Sequence, residues 1–143
     1  MKSQDLRAEV RFGSPLQRVL LHYTQVCLAV ISQSVACSQH HRVEQRLARW
    51  ILTMNEYVYG HEFVMSHGSI AAMLGTRRSG ISVAASHLQE LGLLRYRRGR
   101  IVVLDKKGLE QRTCECYPFM RKQYEGLRQQ VPRLLSRAKA SVA

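Results

Sequence analysis

The sequence predicts a mainly α fold with a small β wing: a winged helix-turn-helix preceded by one long helix suited to dimerisation. Three observations carry this. A short apolar-patterned segment from Ser66 stops at Gly75 and is followed by a second amphipathic segment from Arg78 to Leu91. Directly after it, Leu93 to Leu104 alternates around Arg97-Arg98-Gly99-Arg100, which reads as a β-hairpin. Ahead of both, Ser14-Pro15 opens a helical stretch to about His41, with Ser as cap and Pro in the first turn. The 143 residues divide into 1–41, the N-terminal segment and long helix; 42–117, the winged helix-turn-helix; and 118–143, a basic helical tail.

In the long helix, Leu16, Val19, Tyr23, Val26, Val30, Gln33 and Cys37 alternate at spacings of three and four. That is a heptad seam, and it makes Leu16, Val19, Tyr23, Val26 and Val30 the expected dimer contacts. Leu20, Leu21, Cys27, Leu28 and Ile31 fall outside the seam, so the middle of the helix is apolar all round and needs cover on more than one side. Val43 to Tyr57 forms a second amphipathic helix, with Val43, Leu47, Trp50, Ile51 and Met54 on one face and Arg42, Arg46 and Arg49 elsewhere. Gly60 closes this region, and Phe63-Val64-Met65 reads as a short strand. Gly75 supplies the left-handed backbone that ends the Ser66–Leu74 helix, and Gly92 stops the next one. Asp105 to Gly108 turns the chain. Leu109 to Ala138 has helical character with expected interruptions at Pro118 and Pro132.

Charge narrows the partner. The chain has 22 Lys and Arg against 10 Asp and Glu, a formal charge of +12. Such an excess favours a polyanion, because each neutralised phosphate releases condensed counterions. It is concentrated: Thr76 to Lys107 holds eight basic and two acidic residues. The N-terminal MKSQDLRAEVRFG has no apolar signal core, and the longest apolar run, Val26 to Ile31, is too short to span a bilayer. A cytoplasmic protein with no membrane partner is expected.

The segment His67 to Ser86 carries the chemistry. A DNA-reading helix-turn-helix needs two helices crossing at a three- to four-residue turn. Ala71 is small enough for close approach, Gly75 makes the turn, and Ile81 plugs the angle between the helices. Ile81, Ala84, Ala85, Leu88 and Leu91 are expected to point inward; Arg78, Ser79, Ser82, Ser86 and Gln89 outward. A short polar face led by a guanidinium suits a helix entering a major groove N-terminus first. There Arg78 would fork onto guanine, with Ser79 and Ser82 beside it. Ser66, Thr76 and Arg77 stand at the helix starts, and Arg97, Arg98 and Arg100 would grip the phosphate backbone. A solvated helix face and a charged, aggregation-resistant hairpin are the alternative readings.

These residues resemble a known family. Val43-Glu44-Gln45-Arg46-Leu47-Ala48-Arg49-Trp50, Ala71-Ala72-Met73-Leu74-Gly75-Thr76-Arg77-Arg78 and Gly92 to Ile101 are similar to the C-terminal part of Crp/Fnr-type transcription regulators, and Cys114-Glu115-Cys116-Tyr117 resembles one branch of them. The resemblance covers about Leu16 to Tyr124. It implies a homodimer joined through the long helix, double-stranded DNA as partner, palindromic operators, and base contact by Arg78. Relatives usually carry an N-terminal β-roll effector domain for which these 143 residues have no room, so either a fragment of a longer regulator or a protein working without that sensor is expected. Many also carry Gln-Glu where this chain has His67-Gly68, and Gly68 and Gly80 each cost their helix about 1 kcal/mol.

Other signals are weaker. Cys27, Cys37, Cys114 and Cys116 match neither a disulfide framework nor paired C-x-x-C zinc spacing. The His40-His41 and His61/His67 pairs lack the i, i+4 spacing of a helical metal site. No metal and no cofactor are expected, and Cys114 and Cys116 read as packing thiols. No nucleophile–base set points to an enzyme. The alternative function is a truncated interaction protein that heterodimerises with a full-length relative and blocks it.

Overall fold

The computed structural model describes residue 10 and residues 13–58 and 62–140, with side chains through Pro132. Gly60 and His61 lie outside the described residues. In chain order the elements are α1 (Pro15–His40), α2 (Val43–Tyr57), β1 (Glu62–Val64), α3 (His67–Leu74), α4 (Arg78–Glu90), β2 (Leu94–Arg97), β3 (Arg100–Val103), α5 (Lys106–Gln111) and α6 (Cys116–Ala140). The chain divides into two compact units. One spans 34–117; the other combines the chain up to Gln33 with the chain from Pro118.

The 34–117 unit is a winged helix-turn-helix. Its core gathers Leu47, Ile51 and Leu52 of α2, Ile70 and Leu74 of α3, Ile81 and Leu88 of α4, and Leu94, Ile101 and Leu109 from the wing and α5. α2 packs on α4 and α5, and α3 on α4. Two arginines join this interior. Arg46 and Arg49 are buried, whereas the helical pattern placed them away from the apolar face. Arg46 donates from its guanidinium to the Leu74 carbonyl. That carbonyl is one of the unpaired acceptors at the end of α3, so the buried charge satisfies a group that helix geometry leaves open.

The turn between α3 and α4 is built by Gly75, at φ 57° and ψ 49°. Its N–H donates to Ala72 and the Thr76 N–H donates to Ala71, at 3.3 and 3.0 Å. This pair of bonds is the Schellman closure of a helix end. Ser66 caps the other end of α3, its hydroxyl accepting from the Ser69 N–H at 3.1 Å.

The three strands form an antiparallel sheet in the order β1-β3-β2. Register pairs Arg97 with Arg100 and Tyr96 with Ile101 across the hairpin, and Phe63 with Ile101 on the other edge. The hairpin tip holds Arg98 at φ 50° and Gly99 at φ 81°. Two central residues at positive φ mark the mirror-image turn that matches strand twist. On the inner face Phe63 meets Trp50 edge-on, with ring centroids 5.8 Å apart.

Several expectations shift. The strand is Glu62–Val64, one residue earlier than the apolar run suggested. The Asp105–Gly108 turn is the start of α5, with Asp105 as its cap: its carboxylate accepts from the Gly108 N–H at 3.0 Å. Pro118 does not interrupt a helix, because α6 begins at Cys116 and a first-turn residue needs no N–H partner. Pro132 lies within α6, whose backbone stays helical through it. Leu91 is exposed rather than inward.

α1 is 26 residues long, and its apolar content (mean hydropathy 1.4 over 18 residues) suffices, by length and composition alone, to cross a membrane. The unbroken run Val26–Ile31 is short, but Thr24, Gln25, Ser32 and Gln33 interrupt the apolar sequence without adding charge, and apolar residues resume on both sides. Of the five expected dimer contacts, Val26 is buried within the chain itself, Leu16, Val19 and Val30 are half-buried, and Tyr23 is exposed. The outward apolar residues are Leu20, Leu21, Leu28, Ile31 and Val35.

Candidate nucleic-acid interface

α4 shows two chemically distinct sides. Ile81, Ala84, Ala85 and Leu88 are buried against α2 and α3. Arg77, Arg78 and Ser79 are exposed at the helix start, with Thr76 half-buried just before them. The cap residue Arg77 makes no side-chain bond to the first turn. The early N–H groups of α4 are thus left uncapped by Arg77 at the positive end of the helix dipole, an arrangement that attracts phosphate. A shallow depression between α3 and α4, lined by Ala72, Gly75, Thr76, Arg77 and Ser79, lies beside them.

A network missed by sequence reading braces this end of α4. The His67 ring stacks on Tyr96, centroids 4.2 Å apart. Its Nδ1 is 2.9 Å from the Ser82 hydroxyl, and that hydroxyl donates to the Arg78 carbonyl at 3.1 Å. With the Ser82 proton so placed, His67 Nδ1 carries the hydrogen and donates to Ser82. Its Nε2 is buried without a hydrogen-bond partner among the described residues. Burial, reinforced by the nearby Arg78 charge, pushes the His67 pKa below its ordinary value. Tyr96 donates its hydroxyl to the Met65 carbonyl at 2.8 Å, and its own N–H donates to Gln89 at 2.7 Å. The start of α3, the first turns of α4 and the wing are thus tied together beside Arg78. Ser82 and Gln89 serve this network and are half-buried, not the bare groove-facing groups that helical spacing suggested.

The wing arginines occupy the other face of the sheet. Alternation and register place Arg95, Arg97 and Arg100 together with Glu62 and Val102, and with Arg98 at the tip they line one concave surface. Arg100 pairs with Glu62 at 2.5 Å, so one of the three expected phosphate grips is partly neutralised. Ser66 is exposed, with its hydroxyl committed to capping α3.

A second cluster was also missed. Cys37, His41, Cys114 and Cys116 come together at the end of α1 and the start of α6. The sequence signal was available: Cys37 stands four residues before His41 on one helix face, and Cys114 and Cys116 form a C-x-C.

Residues 45–112 match the family model of the Crp-like helix-turn-helix domain. The chain is similar to the solved structure of a transcriptional regulator of the crp/fnr family from Eubacterium rectale, at 26% identity and TM-score 0.55, over 63% of this chain and 44% of that one. It is similar in fold to a CRP-family transcriptional regulator from Thermus thermophilus, at 22% identity and TM-score 0.53, over 59% of this chain and 47% of that one. The chain spans less than half the length of either. No curated protein matches it in sequence. With the crossing of α3 and α4, the three-stranded wing and the match over 45–112, the chain carries a Crp-like helix-turn-helix domain.

Proposed function

We propose that this protein is a cytoplasmic, sequence-specific DNA-binding transcription regulator and not an enzyme. It acts as a homodimer on two-fold symmetric sites in double-stranded DNA. The observation that supports this best is the start of α4, where Arg77, Arg78 and Ser79 stand exposed on a helix locked from behind by Ile81, Ala84, Ala85 and Leu88. Arg78 forks onto a guanine edge and Ser79 contacts the adjoining base or phosphate. Thr76, Arg77 and the open N–H groups of the first turn hold phosphate, with Arg97 and Arg98 of the wing gripping the backbone. Ser66 and Ser82 act indirectly, through the cap of α3 and the His67 network, and Arg100 contributes once Glu62 yields it.

Pairing through α1 supports the dimer. Leu21, Leu28 and Val35 repeat at seven-residue intervals and are each more than half exposed, at 57%, 59% and 59%. A twin helix covers such a stripe, joined by the exposed Tyr23 of the expected seam. Two reading helices then engage half-sites about 10 bp apart. A salt titration on a selected duplex tests the reading. Log affinity should fall linearly with log salt, with a slope reporting several phosphate contacts. A salt-independent affinity, or equal affinity for symmetric and scrambled duplexes, would refute it. The same exposed stripe also fits a heterodimer with a full-length relative. That reading predicts mixed dimers with weakened DNA binding when the two proteins are combined.

A further inference from the structure

Three thiols and an imidazole converge in the 34–117 unit with no role in the interface described above. The Sγ atoms of Cys37, Cys114 and Cys116 and a ring nitrogen of His41 all lie within 4.8 Å of one another. Cys37 and Cys114 approach to 3.6 Å, and Cys116 lies 3.6 Å from His41 Nδ1. The three cysteines are buried and none is in a disulfide. The other ring nitrogen of His41, Nε2, is 3.0 Å from the Glu115 carboxylate.

The two 3.6 Å approaches match one ion, and the remaining ligand atoms lie near enough to close on it. A zinc–sulfur bond of about 2.3 Å in a tetrahedron places neighbouring sulfurs about 3.8 Å apart, with nitrogen–sulfur spacings slightly shorter. A polynuclear iron–sulfur cluster distributes its thiolates over several irons and needs them farther apart than these. A simple thiol–disulfide pair would use Cys37 and Cys114 and leave Cys116, His41 and Glu115 without purpose. The carboxylate completes the pattern. By accepting from Nε2–H it fixes the tautomer with the Nδ1 lone pair directed at the thiols, the arrangement that orients metal-bound histidines. Charge is also balanced: three thiolates and a divalent ion leave one net negative charge, and the buried Arg49 guanidinium acts electrostatically on Cys37.

We propose that Cys37, His41, Cys114 and Cys116 bind one zinc ion in a closed Cys3His site positioned by Glu115. Three S–H bonds give up their protons to solvent as three zinc–sulfur bonds form, and His41 donates its Nδ1 lone pair. Four protein ligands leave no open coordination position, so the ion is structural. Its place gives it a task. Cys37 and His41 end α1, and Cys114 and Cys116 follow α5, so the ion staples together the two segments that bracket the winged helix. The metal clamps the end of α1 to the far end of the DNA-binding unit.

The test uses the full chain, reduced and stripped of metal, titrated with Zn2+ against a chromophoric chelator and separately with Co2+. One equivalent should bind, with cobalt showing the strong d–d bands of tetrahedral coordination and thiolate charge-transfer absorption. Cys116→Ser should lose the charge-transfer intensity of one thiolate. Glu115→Gln, at an exposed position that leaves the fold intact, should weaken Zn2+ affinity about 10- to 100-fold without changing the circular dichroism. Substoichiometric binding, octahedral cobalt spectra, affinity unchanged in Glu115→Gln, or preferential formation of a Cys37–Cys114 disulfide in the presence of Zn2+ would each overturn the proposal.

Discussion

In a Gly75→Ala variant the new methyl group meets no heavy atom within 4 Å, yet the backbone it joins sits at φ 57°. Holding an L-residue there costs roughly 1–2 kcal/mol. The lower entropy of unfolded alanine returns about 0.4–1 kcal/mol. The net loss is about 1 kcal/mol. Gly80 presents the opposite case. It lies in the first turn of α4, and an added Cβ would meet Thr76 Oγ1 at 3.6 Å and the two γ-carbons of Val43 at 3.8 Å, which is ordinary van der Waals contact. Alanine there gains about 0.5–1 kcal/mol from helix propensity, less than the full interior value because first-turn groups are partly unpaired. For a unit of this size each kcal/mol shifts the midpoint by about 4–8 °C. Thermal melts followed by circular dichroism, with zinc content held constant, should place Gly75→Ala below the parent protein and Gly80→Ala above it. A neutral Gly75→Ala, or a destabilised Gly80→Ala, would refute the account of the α3–α4 crossing.

Protonating His67 puts a proton on a buried Nε2 with no acceptor among the described residues, beside Arg78. Its folded pKa lies below the unfolded value of about 6.5, so its contribution to stability is complete above that pH and is lost as pH falls through the folded value. The midpoint should therefore drop between pH 7 and pH 5, and His67→Gln should flatten that slope; an equal slope in both proteins would count against the network. Arg46→Met strands the Leu74 carbonyl and should cost about 1–3 kcal/mol in urea unfolding, while an unaltered midpoint would remove the guanidinium from the account of the turn. Glu62→Gln releases Arg100 and should steepen the salt dependence of DNA binding by up to about one charge, with stability changed by under about 1 kcal/mol. A slope identical to the parent's would show that the wing face does not meet phosphate.

Local signals made most of the helix-turn-helix legible. Ser66 and Gly75 mark the ends of α3 by capping and backbone handedness, and the spacing of Ile81, Ala84, Ala85 and Leu88 sets the buried side of α4. The hairpin was legible because alternation and Arg98-Gly99 specify strands and turn together. What escaped depends on contacts between distant segments. Arg46 and Arg49 read as lying off the apolar face because nothing near them in sequence shows the Leu74 carbonyl or the buried thiols. His67 read only as a departure from the Gln-Glu pair of many relatives, yet it stacks on Tyr96, 29 positions along the chain. Cys37 and Cys114 are 77 residues apart and meet only after the whole winged helix has folded between them. The seam of α1 was ambiguous for a related reason: a helix apolar all round does not declare which side its own chain covers, and Val26 proved to be on that side.

Base discrimination by Arg78 tests the central claim most directly. The ratio of affinities for a selected symmetric duplex and a variant with one guanine replaced per half-site should be measured for the parent protein and for Arg78→Ala at matched salt. The account predicts a parent preference of about 1–3 kcal/mol per guanine that collapses in the variant, while non-specific affinity falls only modestly. A preference that survives Arg78→Ala undiminished would contradict it and remove the α4 N-terminus from the role of reading DNA.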